Sequence, residues 1–407
     1  MPRKTPALMP SWLVLMGALA ALGPVAIDMY LPAFGAMARD LNTTQGLVER
    51  TLASYLLGLA VAQLAYGPLA DRYGRKLPLL VGLALFSIAS LACALSNDID
   101  HLMLWRIVQA FGGAAGMVVP RAVIRDHLDT REAAQALSLL MLVMGVMPIL
   151  APLLGGQAVT LGSWRTVFYM MALAGAGLWL AVLRNMRESL PDERRTPLAV
   201  GTILANFRLL LTHRGFMGYA LAGGLGSAGM FAYISGSPLV FIQIYGIDPR
   251  WFGLVFGLNA ASLILAAQLS ARLLNRHRPL DLLLRSQFTL VLMTAAALVL
   301  TLGGWINLPL LMLCLMGFMA SQGFVGPNSA ALALAEQGPR LGTASALMGA
   351  LQMFCGALSG FLVSLWHTDS PLPLTAVLAA CAALSWLSSR VAIRRAPPGA
   401  RQKTDAA

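Results

Sequence analysis

The chain has 407 residues, 58% of them hydrophobic and 11% charged, with a formal net charge of +12 and a mean hydropathy of +0.72. Soluble domains carry about 25% charged residues, so the composition excludes an ordinary soluble fold and points to a membrane protein. The positive charge does not signal nucleic acid, because the basic residues lie between apolar runs and form no continuous patch.

The first apolar run begins at Ser11 and reaches about residue 35. It follows the basic "MPRK", but it is too long for the roughly 7–15-residue core of a cleaved leader and has no small-residue cleavage site in the right place. It is expected to be kept as a first span. A span takes about 20 apolar residues, and eleven more runs qualify, at about 48–68, 77–96, 102–121, 134–157, 164–183, 215–238, 251–271, 281–303, 308–331, 342–365 and 372–392. The one long connection, 184–214, divides the chain into an N-terminal six-helix bundle (1–183) and a C-terminal one (215–393), with a tail at 394–407 expected to be disordered. Within the connection Ile203, Leu204, Phe207 and Leu211 share one helical face, which fits an interfacial amphipathic helix.

Of the 29 Lys and Arg, 24 fall at the two termini and on alternate connections, whereas the opposite side carries only Arg39, Arg50, Arg165 and Arg250. The positive-inside rule then places both termini on the cytoplasmic side of the membrane. Cys93, Cys314, Cys355 and Cys381 lie inside apolar runs and read as core residues; the five histidines are scattered through connections, so neither a metal nor another cofactor is expected. Two six-span halves joined by a long linker resemble the major facilitator layout, an all-α membrane fold in which substrate sits near the midplane between the halves.

Four stretches carry chemistry. In "IDMYLPAF" Asp28 is the only charge of the first run, and a carboxylate in hydrocarbon is rarely kept without a task. "GPLADRYGRK" joins spans two and three and is similar to the major facilitator loop motif at Gly67, Asp71, Arg72, Gly74 and Arg75, a gating element. Its glycines permit a tight turn, and Asp71 can face the positive N-terminal end of a neighbouring helix, the eleventh span near Leu341 and Gly342 being the expected partner when the transporter faces outward. "LMLWRIVQAFGGAAG" sets Arg106 within span four. It resembles the superfamily's fourth-helix motif at Arg106, Gln109, Gly112 and Gly113, with Ala110 in place of the usual glycine; outward snorkelling is the other reading of Arg106. "GVMPILAPLLGG" in span five contains Gly145, Pro148, Pro152, Gly155 and Gly156, implying a bend and close packing. It resembles the fifth-helix motif of drug/proton antiporters, with Ala151 where many members have glycine.

Together with "ISGSPLVFI", "GPNSAALAL" and "GTASALMGALQ", these stretches resemble the bicyclomycin/chloramphenicol-resistance (Bcr/CflA) branch of multidrug efflux, over residues 12–393. The resemblance implies export of small amphipathic drugs in exchange for protons, by a monomer embedded in membrane lipid. Asp28 is then the proton carrier and Arg106 its modulating partner. Tyr30, Tyr55, Gln63, Gln109, Tyr233, Asn259 and Gln352 are candidate substrate contacts, each of which reads equally as an inter-helix hydrogen bond. Met29, Met144 and Met230 could supply an adaptable wall. No nucleotide-binding loop or catalytic constellation appears, so an enzyme is not expected. An exporter of a metabolite such as an amino acid or small peptide shares every motif; a non-transporting receptor would leave Asp28, Arg106 and the two-half layout without a common explanation.

Overall fold

The computed structural model describes residues 11–195, 200–366 and 370–395. The chain enters as α1 (Ser11–Asp28), a short α2 (Phe34–Asp40), α3 (Gln45–Tyr73), α4 (Lys76–Leu95), α5 (Ile99–His127), α6 (Thr130–Leu161) and α7 (Trp164–Asn185). A connecting helix α8 (Val200–Thr212) leads to α9 (Arg214–Pro238), α10 (Pro249–Leu273), α11 (Pro279–Leu302), α12 (Leu308–Leu334), α13 (Leu341–Ser364) and α14 (Leu372–Arg395). Among the described residues twelve segments are long and apolar enough to cross a membrane, as the hydropathy pattern predicts. Helices satisfy the backbone internally, which is what a segment in hydrocarbon requires. The tail from residue 396 onward lies outside the described residues.

The helices pair the same way in both halves. In the first, α1 packs on α5 and α6, α5 on α3 and α4, and α4 on α7; in the second, α9 packs on α12 and α13, α12 on α10 and α11, and α11 on α14. The halves meet along two seams, α3 against α13 and α6 against α10. We call the end that carries the α7–α8 connection the linker end, and the opposite one the far end.

The first run is not one continuous helix, as 11–35 had suggested. It stops at Asp28, turns through Tyr30 (φ −96°, ψ −3°) and a 3-10 turn at Leu31–Ala33, and restarts as α2. Pro32 has no N–H to give to a continuing ladder, which accounts for the break. At the same end of the second half, α9 runs into a π-helical segment at Leu239–Ile244, directly after Pro238. Both halves therefore open with a helix that becomes irregular towards the far end.

The far end is shut. Gly156 lies against the Pro249 carbonyl, Leu153 against Gly253 and Ile149 against Gly257, so α6 and α10 are in close contact there. On the other seam Arg50 Nε donates to Ser364 Oγ at 3.2 Å and its guanidinium lies 5.1 Å above the Phe361 ring, while Gln243 donates to Gln45. Towards the linker end the fit is looser: a side chain at Gly67 or Gly342 would meet only open space, and Leu341 is 45% exposed. The halves thus close at one end and part at the other.

Gly155 sits directly against the Met29 carbonyl, with no room for a Cβ. Gly155→Val should force α1 and α6 apart at the far end, an overpacking cost of about 1–3 kcal/mol. A lowered melting temperature of the purified protein checks this; an unchanged one would show that the contact yields.

Helix α8 turns one side to the protein. Leu210 is fully buried and Phe207 packs with it on Phe216, Ala344, Leu347 and Met348 of α9 and α13. Leu204 and Leu211, expected on the same stripe, are 61% and 50% exposed. Docking on two helix ends covers one side of α8 and leaves these leucines uncovered by protein, the side an interfacial helix would turn to lipid.

Candidate functional site

Helix α5 carries Arg106, Gln109 and Gly113 on one side, spaced as i, i+3 and i+7. Arg106 is completely buried, so its guanidinium turns inward and does not snorkel. Nη2 donates to the Ala26 carbonyl at 2.9 Å, one of the carbonyls at the end of α1 that the missing next turn leaves available. Nη1 donates to Gln109 Oε1. The guanidinium stands 4.3 Å from the Tyr30 ring centre, 4.2 Å from that of Tyr55 and 5.8 Å from that of Phe168. A desolvated cation–π contact is worth about 2 kcal/mol, so the rings replace much of the solvation that burial removes.

Gln109 Nε2 donates in turn to Ser90 Oγ at 2.7 Å and lies 3.6 Å from the Met171 sulfur. The Tyr30 hydroxyl shares a 3.3 Å hydrogen bond with Thr51. Gly112 and Gly116 touch the backbone of α4 and α1 respectively, which is helix packing. Tyr30, Tyr55 and Gln109 are therefore gathered around Arg106 inside the first half.

Asp28 ends α1 and is 3% exposed. Its Oδ1 has no hydrogen-bond partner, and none of the ion pairs among the described residues involves it. The structure brings Arg106 to the backbone two residues before Asp28, not to its carboxyl. Across the halves, Asp28 is an electrostatic neighbour of Tyr233. Tyr233 is buried, stacked on Phe256 at 5.2 Å and edge-on to Phe241. Its hydroxyl and Asn259 Oδ1 make no hydrogen bond of normal geometry, although the two side chains are neighbours and Asn259 Nδ2 donates to the Val255 carbonyl at 3.2 Å. Leaving such buried groups unmade costs about 1–3 kcal/mol each. Asp28, Tyr233 and Asn259 thus form a group from both halves with hydrogen-bonding capacity to spare. Gln63 instead packs against Gly349 on the α3–α13 seam, and Gln352 follows one turn further along α13, half-buried.

A second buried carboxyl, Glu49, is not among the residues singled out above. Glu49 stood at the edge of the run 48–68, but α3 begins at Gln45 and takes Glu49 fully inside, at 2% exposure. Gln45 and Gln243, which face each other across the halves, were not singled out either.

At the linker end the loop motif is held by side chains distant in sequence. Arg75 donates to Asp71 at 2.5 Å and to Asp126 at 2.9 Å, and Ser189 Oγ also donates to Asp126. Arg72 lies in the last turn of α3, and Gly74 has φ +84°, a left-handed conformation suited to glycine. Asp71 is half exposed and pairs with Arg75 of its own loop. Glu188 accepts from the backbone N–H of Arg75, Lys76, Ser189 and Leu190. Burial pushes its carboxyl up, but the four N–H groups prevail and hold it below the usual carboxylate range. A carboxyl so shifted stabilises the loop above its free-chain value and loses that effect as pH falls through the lowered one. Glu188→Ala should therefore speed hydrogen exchange at the Arg75 and Lys76 amides by roughly three- to tenfold at neutral pH, allowing for the site's partial exposure. Unchanged exchange would remove Glu188 as the anchor.

A family model described as Major Facilitator Superfamily matches residues 14–360. An uncharacterized MFS-type transporter, YdgK of Bacillus subtilis, is 38% identical over 92% of this chain and 93% of its own length. A bicyclomycin resistance protein homolog of Haemophilus influenzae is 32% identical over 93% of this chain and 94% of its own. Multidrug resistance protein MdtL of Klebsiella pneumoniae is 31% identical over 90% and 92%. Among solved structures, a POT family transporter in complex with a thioalcohol-conjugated peptide superposes with a TM-score of 0.75 at 13% identity, covering 97% of this chain and 98% of that one. A bacterial homologue of the lysosomal transporter Spinster, inward-facing and unoccupied, gives 0.69 at 16% identity, over 96% and 100%. These two likenesses concern the fold.

Proposed function

The chain belongs to the major facilitator superfamily, in its bicyclomycin/chloramphenicol-resistance branch, and from that premise we propose that it exports small amphipathic antibiotics from the cytoplasm in exchange for protons. The observation that carries the coupling is Asp28: a buried carboxyl with no ion-pair partner, at the helix break where the two halves meet. Burial and an approaching cation act on its protonation in opposite senses, so it can exchange a proton as the halves rearrange. Arg106, held two residues away on the backbone, is the cation that meets the ionised form once the break reorganises. Tyr233 and Asn259 supply polar anchors for the drug beside it, and the protein works as a monomer in lipid.

The energetics suffice. One proton entering down 100 mV releases ~2.3 kcal/mol, and one pH unit adds ~1.4 kcal/mol. Their total of ~3.7 kcal/mol sustains a gradient of roughly 500-fold for a neutral drug exchanged one for one.

Expression in an efflux-deficient bacterium, with a susceptibility panel of bicyclomycin, phenicols, sulfonamides and tetracyclines, tests the reading. Raised resistance to at least one, abolished by an uncoupler, is expected. No shift across the panel, with no substrate-dependent proton release in liposomes, would overturn it.

Orientation follows from the basic residues: the linker end is the cytoplasmic one, and this conformation opens inward. Reporter fusions after residues 97, 160 and 247 should read external, and those after 76, 195 and 278 cytoplasmic. A reversed pattern would refute the assignment.

A further inference from the structure

Glu49 has no role in the transport scheme above, yet it is as deeply buried as Asp28. Gln45 Nε2 donates to Glu49 Oε1 over a long 3.5 Å, and Gln45 Oε1 accepts from Gln243 Nε2 of the second half. The carboxyl therefore ends a hydrogen-bonded chain that crosses between the halves at the far end. Its helix neighbour Arg50 spans the same gap to Ser364.

No cation compensates Glu49 among the described ion pairs. Among the described residues the charged and titratable groups on the surrounding elements, other than Arg39 and Tyr245, are engaged elsewhere, and His367 and Asp369 beyond α13 lie outside the described residues. Arg39 of α2 lies beside Gln243 at Gly35, and Asp40 takes Trp164 and Arg165 of α7. Arg50 is turned to Ser364 and Phe361 of α13. Tyr30 shares its hydroxyl with Thr51, Arg106 of α5 holds Ala26 and Gln109, and His101 at the start of α5 pairs with Asp98. Tyr245, just past the π-helical segment, has no ion pair to offer a carboxylate.

We propose that Glu49 is a second proton-binding site, placed at the outer gate, and that the gate closes over its protonated form. Parting of the halves at the far end would break the Gln45–Gln243 contact and admit water, which solvates the carboxylate. Closure removes that water and supplies only an amide in its place, whereas an isolated buried charge requires a paired ion. A proton taken from outside thus permits closure and return to the inward-facing state. This rests on the alternating-access reading above and adds to it a checkpoint separate from Asp28.

The test is a distance measurement that needs neither drug nor transport. Nitroxides at Leu161→Cys and Trp305→Cys, both exposed far-end positions, are placed in a background lacking the four native cysteines. Pulsed electron resonance in nanodiscs then follows their separation from pH 5 to pH 9. The parent should gain a longer, gate-open distance as pH rises, the closed-to-open ratio falling by up to about tenfold per pH unit for one linked proton. Glu49→Gln should favour the short distance and flatten the titration to what Asp28 alone contributes, while Asp28→Asn should still titrate through Glu49. A parent without pH dependence, or Glu49→Gln titrating like the parent, would overturn the proposal. Loss of titration in Asp28→Asn with retention in Glu49→Gln would also overturn it, assigning the linked proton to Asp28 and leaving the efflux reading intact. Should Glu49→Gln fail to fold, Glu49→Asp must move the midpoint; an unmoved midpoint counts against the site.

Discussion

Asp28→Asn is expected to abolish drug-stimulated proton release from reconstituted vesicles and to return drug susceptibility to that of cells without the transporter. The substitution keeps the shape of the side chain and removes the proton it exchanges. Asp28 makes no ion pair in this conformation and its Oδ1 has no hydrogen-bond partner, so no native bond through that atom is lost. The change in stability should stay within about 1 kcal/mol, and the protein should reach the membrane at normal levels. The initial rate of drug-stimulated proton release, measured with a pH dye at matched protein, should fall at least about tenfold, a barrier change of about 1.4 kcal/mol or more. Full drug-dependent release from Asp28→Asn would sink the coupling assignment.

Arg106→Ala should be the more damaging change to the fold. It leaves the Ala26 carbonyl and Gln109 Oε1 without their donor and removes the cation from between the Tyr30 and Tyr55 rings. Charged hydrogen bonds contribute about 1.5–3 kcal/mol each, about 3–6 kcal/mol for the two, and the lost cation–π contacts add to that. Thermal unfolding in detergent should register it. Arg106→Lys separates bracing from coupling, because lysine keeps the charge and can reach Ala26 but lacks the planar fork that also serves Gln109. If Arg106 modulates Asp28, Arg106→Lys should shift the pH profile of efflux even where stability is largely recovered. Recovery with an unmoved profile would make Arg106 a brace alone.

Hydropathy and charge are local properties, and what depends on them was legible in the sequence. The twelve spans, the division at 184–214 and the asymmetry of the basic residues need no tertiary contact to be read. Asp28 and Arg106 were conspicuous because charge is rare in such runs. The tertiary structure decided what each of these groups touches. Arg106 binds the Ala26 carbonyl, 80 residues away, because the Pro32 break left a helix end to satisfy. Glu49, at the edge of the hydropathy window, became a buried acid because α3 starts three residues earlier, at Gln45, and its first turns pack into the closed far end. Gln45 met Gln243 across 198 residues because the halves close at the far end, and Leu210 rather than Leu211 turned inward because α8 docks on α9 and α13. Burial follows from composition along one segment, but the partner of a buried polar group is set by the packing of several, and no single stretch of sequence contains it.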